Sequence, residues 1–226
     1  MREIVLDTET TGLDYRGDDR IIEIGCVEVI NHVATNNTLQ FYCQADKEVS
    51  PEAQKVSGIS SEFLKDKKTF SEQHMMFFDF IKDDPLIIHN AEFDLGFLNK
   101  ELSIIGKPPL KNKIIDTVSL ARKVLNTRIA NLDYLCRRFN IDLTKRKLHG
   151  ALLDAQLLAE VYLELKGGKQ ITLDLTTKEN KHQIFKKNNR SIKIKITKIT
   201  TNEEEIASHK LMVRGIKEAV WKKYNY

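Results

Sequence analysis

Two acidic residues, Asp7 and Glu9, stand two positions apart in the segment DTETTG (7–12), directly after the apolar run IVL. In a strand, positions i and i+2 share a face, so the two carboxylates point to the same side. Two such charges ~4 Å apart repel by about 4 kcal/mol at an effective dielectric near 20. Either a cation relieves that repulsion, or both groups lie in solvent at a frayed strand end. Three more residues bear on the choice. Asp94 follows the apolar run LIIHN (86–90) at the opening of a helical pattern, where it serves either a site or the helix dipole. Asp154 interrupts the apolar face of GALLDAQLLA (150–159), where an acid is costly to bury without a partner. His149 precedes it by five residues at the helix entrance, as a cap, a surface residue or a proton acceptor.

The elements that must position these groups follow from the pattern. Residues 2–9 (REIVLDTE), 21–30 (IIEIGCVEVI) and 38–44 (TLQFYCQ) have the β-branched and aromatic content of strands, and short connections make them an antiparallel meander. After Ser50-Pro51 the pattern becomes helical, with Phe70, Phe77, Phe78 and Ile81 at helical spacing within 69–82. A short buried strand at 86–90 leads into an amphipathic helix at 91–105. Pro108-Pro109 separates these from a strand at 113–117, followed by helices at 119–125, 131–139 and 150–165, the last stopped by Gly167-Gly168. A meander followed by strand–helix–strand–helix indicates an α/β or α+β domain with a mixed sheet.

Composition narrows the classes. At 226 residues there is room for one large domain, or for a medium one with an appendage. No apolar run exceeds four residues (Met75–Phe78), against the ~18 that a membrane helix needs. The first ten residues do not have the form of a signal peptide. Cys26, Cys43 and Cys136 are scattered and odd in number, which favours reduced thiols and a cytoplasmic location over a disulfide or zinc framework. Charge is uneven: residues 176–226 hold 13 Lys and Arg against 5 Asp and Glu, and the remainder 23 against 27. The basic tail is either a nucleic-acid contact or a solvated arm.

Taken together, DTETTG with Asp7 and Glu9, HNAEFD with Asp94, and HGALLD with His149 and Asp154 resemble the DEDDh exonucleases. IIEIGCVEV, SPEA (50–53) and LHGALLDAQLLAEVYL bring the chain close to the proofreading members of that family along nearly its whole length. The resemblance implies an α/β, RNase H-like exonuclease fold, with a mixed five-stranded sheet flanked by helices and a C-terminal linker and partner-binding segment. It implies a 3′→5′ exonuclease over residues 1–168, dependent on two divalent cations, Mg²⁺ or Mn²⁺, and releasing nucleoside 5′-monophosphates from DNA 3′ ends. Asp7, Glu9 and Asp154 would hold the first ion, Asp7 with Asp94 acting through water the second, and His149 would be the catalytic base. An all-acidic pocket would repel a phosphodiester, and hard cations on carboxylate oxygens invert that sign. For the terminal nucleotide the family uses a Glu and a His. Glu52 matches the first and also suits a helix start beside Pro51, whereas Ser57 stands at the second, able to hydrogen-bond but not to stack or carry charge.

The remaining chain carries a second pattern. Gln170, Leu173 and Leu175 in QITLDL fit a Q-x-x-L-x-[LF] peptide that docks on a sliding clamp, placed by the resemblance within a clamp-binding and linker segment at 169–190. The resemblance further implies that residues 191–226, including a helix with Glu203–Glu205 at its start, bind the polymerase (alpha) subunit, and that a small theta-like accessory subunit is a further partner. Two alternatives compete: an oligoribonuclease-like DEDDh exoribonuclease, expected to end near residue 180 without a clamp peptide, and a non-catalytic replisome tether, expected to lack an acid of the set.

Overall fold

The computed structural model describes residues 1–144, 146, 148–167 and 202–217, and the chain divides into two units, Met1–Asp174 and Leu175–Tyr226. The first unit is built on a sheet of strand order β3-β2-β1-β4-β5. β1 (Arg2–Thr10), β2 (Ile21–Ile30) and β3 (Val33–Tyr42) run antiparallel to one another, and β4 (Leu86–Ile88) and β5 (Ile114–Asp116) extend the sheet parallel to β1. This is the mixed five-stranded sheet implied by the resemblance. β3 begins five residues earlier than its apolar content predicts. A two-residue turn with both Asn31 (φ 52°) and His32 (φ 69°) left-handed reverses the chain at once and pairs Val33 and Ala34 with Ile30 and Val29, before an irregularity that ends at Thr38.

Helices cover both faces. Two short ones, α1 (Pro51–Ser57) and α2 (Ser61–Leu64), precede α3 (Phe70–Ile81), which starts with a Thr69/Glu72 capping box. α4 (Ala91–Ile104) follows β4, α5 (Thr117–Leu125) follows β5, and then come α6 (Leu132–Arg138) and α7 (Ala151–Leu165). The alternation of β1 sorts its side chains between two cores. Ile4 and Leu6 pack with Phe77, Ile81, Phe97 and Leu98 of α3 and α4, whereas Val5 packs with Ala155, Leu158 and Tyr162 of α7. Glu3, Asp7 and Glu9 share the face of Val5. Glu3 is buried there and accepts a hydrogen bond from the Tyr162 hydroxyl at 2.9 Å, and its other oxygen lies 3.0 Å from His32 Nδ1.

α7 lies unusually close to the sheet, and Gly25 on β2 is the reason it can. A Cβ at that position would fall 2.2 Å from the backbone of Ala151 and Leu152. Two residues earlier on the same face of β2, the buried Glu23 accepts a hydrogen bond from Ala151 N at 3.1 Å, supplying the first turn of α7 with the acceptor that Gly150 at the N-cap cannot provide. In the second unit, α8 (Glu203–Gly215) starts at Asn202 with a capping box to Glu205, in keeping with the acidic helix start read from the sequence. Among the described residues no helix is long and apolar enough to cross a membrane.

Candidate active site

The register of β1 creates the site. Its pairing with β4 ends at Leu6↔Ile88, but its pairing with β2 continues to Thr10↔Ile21, with an irregularity after Glu9. Asp7 and Glu9 therefore lie beyond the end of the parallel ladder, where the chain leaves β4 and the sheet opens a crevice at its strand ends. Asn90, left-handed at φ 65°, makes the turn out of β4 and starts α4, so that Asp94 reaches the same crevice in the helix's first turn. α7 supplies Asp154 from its own first turn, and His149 lies just ahead of that helix, fixed by a hydrogen bond from its backbone N to Val56 O at 3.0 Å.

These five residues line one open cavity of about 510 Å³ together with Thr8, His89, Asp133 and Arg146. Glu52 and Ser57 do not line it. Glu52 is exposed on α1, and the Ser57 hydroxyl, nearly buried, donates to Ala53 O at 2.9 Å and accepts from Ile59 N at 3.2 Å. Gln170, Leu173 and Leu175 lie outside the described residues.

The electrostatics are those of a cation site. Burial, and then the neighbouring carboxylates of Asp94, Asp154 and Glu9, hold the Asp7 carboxyl well above its ordinary range. Glu9 is pushed up to about 8, by burial first and then by Asp154 and Glu23, the latter its direct partner across the β1–β2 ladder. Asp94 rises to about 7 through burial, opposed by the Thr8 hydroxyl, which donates to it at 2.7 Å. Ligand atoms of Glu9, His149 and Asp154 all lie within 4.8 Å of one another. Carboxylates that are expensive to ionise together, converging with an imidazole in a solvent-open cavity, fit a hard divalent cation, which would relieve the repulsion and bind oxygen donors by preference.

Among the lining residues that sequence reasoning overlooks is Arg146. The Arg146 side chain is largely covered despite standing in the run KRK, and its guanidinium grips Asp154 with two bonds, Nε to Oδ1 at 2.6 Å and Nη2 to Oδ2 at 2.7 Å. Nη1 is paired with Asp133 on α6, and Nη2 lies 3.4 Å from His149 Nδ1. Between two lysines and outside any periodic element, Arg146 gives no sign of burial; only the unexplained acids within reach, Asp133 and Asp154, point to a partner.

Residues 4–162 match the Exonuclease family model RNase_T. The chain is 44% identical over 223 residues to the DNA polymerase III subunit epsilon of Rickettsia felis, covering 96% of this chain and 97% of that one. It is 43% identical over 219 residues to the subunit of the same name from Escherichia coli strain K12, with 92% and 90% covered. Among solved structures, exonuclease X in complex with 5′ overhanging duplex DNA aligns with a TM-score of 0.59 at 23% identity, over 72% of this chain and 89% of that one. The zinc-bound exonuclease I–single-stranded DNA complex of E. coli aligns at 0.62 and 16% identity, over 74% and 41%; at those identities the likeness is one of fold.

Proposed function

This chain belongs to the exonuclease family and within it to the DNA polymerase III epsilon subunits, and from that premise we propose that it removes nucleotides from DNA 3′ ends as the proofreading subunit of a replicative polymerase. The observation that carries the reading is the convergence of Asp7, Glu9, Asp94, Asp154 and His149 from β1, α4 and the entrance of α7 on one cavity.

The site residues divide the work. Asp7, Glu9 and Asp154 would hold one divalent cation, and Asp7 with Asp94 would help to hold a second. When bound, Mg²⁺ or Mn²⁺ supplies Lewis-acid stabilisation to the attacking and leaving oxygens of an in-line displacement at phosphorus. His149, half-exposed beside the cavity and 3.8 Å from Asp154, takes the proton of the attacking water. The Thr8 hydroxyl orients Asp94, and Glu23 seats the first turn of α7 and with it Asp154. Glu52 serves the terminal nucleotide through its exposed carboxylate. Ser57 contributes to that subsite only if its hydroxyl leaves Ala53 O, so its part is the weaker of the two. The polymerase subunit is held through residues 191–226 and a sliding clamp through Gln170, Leu173 and Leu175.

The test is digestion of 5′-labelled single-stranded DNA. With Mg²⁺ the products should be a ladder shortened from the 3′ end together with nucleoside 5′-monophosphates. Excess chelator or Asp7→Ala should reduce the rate at least 10³-fold, with the metal-free variant no less heat-stable than the parent, because one charge of a repelling cluster is gone. Activity that survives chelation, or an Asp7→Ala chain that no longer folds, would contradict the proposed chemistry.

A further inference from the structure

The guanidinium of Arg146 occupies the groups that the reaction needs. Its fork faces both oxygens of Asp154, at 2.6 and 2.7 Å, which is the geometry of a fully engaged bidentate carboxylate pair. An arginine has only donors, so Nη2, 3.4 Å from His149 Nδ1, faces that nitrogen as a donor. The third arm is tied to Asp133 on α6, outside the acidic cluster. The Arg146 side chain is only 8% exposed, so this is a buried contact rather than a surface ion pair.

Resting on the metal-dependent reading above, we propose that Arg146 is a built-in counter-cation that keeps the site closed to catalysis: it holds Asp154 and masks His149 Nδ1, and a divalent cation arriving at Asp154 expels it, releasing both groups together. Asp133 is the anchor on which the displaced guanidinium remains, so the arginine is not lost to solvent and recaptures Asp154 when the metal leaves. One cation is exchanged for another at the same carboxylate, the guanidinium's single charge for the ion's two, so the acidic cluster is never left without a cation. His149 Nδ1 is thus clear of the guanidinium only when metal is bound.

Two measurements on the full chain test this. In the first, Mg²⁺ is titrated into protein labelled with ¹⁵N-arginine. The Arg146 Nε–H resonance is identified by its loss in Arg146→Gln. That signal should move, in proportion to bound Mg²⁺ measured by calorimetry, from the position of a paired guanidinium to that of a solvated one. In the second, Mn²⁺ affinity is compared without DNA, and Arg146→Gln should bind about tenfold more tightly, about 1.4 kcal/mol, because no internal cation has to be displaced. A resonance that stays in place while calorimetry records Mg²⁺ binding would overturn the inference and leave the metal-dependent reading standing. Equal or weaker Mn²⁺ binding by Arg146→Gln would overturn it as well, by making Arg146 a support for Asp154 rather than its competitor. An absence of any metal binding by the parent chain would overturn both.

Discussion

A carboxylate withdrawn from water beside other carboxylates is a liability to the fold, and Glu9, proposed above as a cation ligand, shows the size of that liability. Its carboxyl titrates at about 8 instead of the ordinary 4.5, because it is buried beside Asp154 and Glu23. Between those values the folded chain keeps a proton that the unfolded chain has released. Stability from this group therefore falls as pH rises from about 4.5 to about 8, and the penalty is complete above that. Metal-free protein is expected to melt a few degrees lower at pH 8 than at pH 6. Glu9→Gln should remove much of that difference, and saturating Mg²⁺ should do the same in the parent chain; thermal melts of the two proteins with and without chelator check both. A pH dependence unchanged in Glu9→Gln would mean that the carboxyl is not held in the protonated form. At this scale the sequence was informative wherever a residue type was costly in its context. Asp7 and Glu9 share a strand face and Asp154 interrupts an apolar helix face, so each asks for an explanation. Arg146 asks for none, because an arginine between two lysines costs nothing in solvent. Its contacts with Asp154 and Asp133 span 8 and 13 residues through a segment without periodicity.

Elements carry these residues to within contact of one another, and the closest tolerance among them lies between β2 and α7. Gly25 leaves the space that Ala151 and Leu152 fill, and a methyl group there would meet backbone at 2.2 Å, which no side-chain rotation can relieve. Gly25→Ala should force α7 outward, costing about 1–3 kcal/mol of stability. Displacing Asp154 by about 1 Å should lower turnover by around 10²-fold. Denaturant titration and steady-state kinetics on the same variant measure the two effects, and a normal turnover would show that α7 does not depend on this approach to place Asp154. Most elements were legible because each has a period that matches its state. α3, α4 and α7 were recognisable from apolar spacing and β1 from its apolar run Ile4-Val5-Leu6. The first half of β3 was not, since VATNN has no apolar face and is a strand only because the Asn31-His32 turn lays it against β2. Glu23 read as part of a strand, but its bond to Ala151 joins positions 128 residues apart, which no local pattern reveals.

At the scale of the whole molecule, a mildly acidic unit that does the chemistry is followed by a basic segment. On the proposed reading, Gln170, Leu173 and Leu175 and the segment from 191 onward tether the nuclease rather than take part in hydrolysis. A chain ending at Leu175 should keep its rate on free oligonucleotides and lose co-purification with the polymerase subunit. Alanine at Gln170, Leu173 and Leu175 together should weaken clamp-dependent digestion and leave polymerase binding intact. Effective concentration makes each weak contact useful once the other is made. Loss of activity on a free oligonucleotide after the truncation would place the basic segment in the DNA-binding surface instead.

The central claim is that the acidic cavity on β1, α4 and α7 edits DNA from its 3′ end, and the rate of nucleotide release from a primer terminus tests it most directly. A mispaired end frays at little cost, and a frayed strand is what a recessed cavity can admit. With Mg²⁺ present, the first nucleotide should leave a mispaired 3′ terminus at least tenfold faster than a paired one, and neither should be released by Asp154→Asn. Equal rates on the two ends, or removal beginning at the 5′ terminus, would contradict the account.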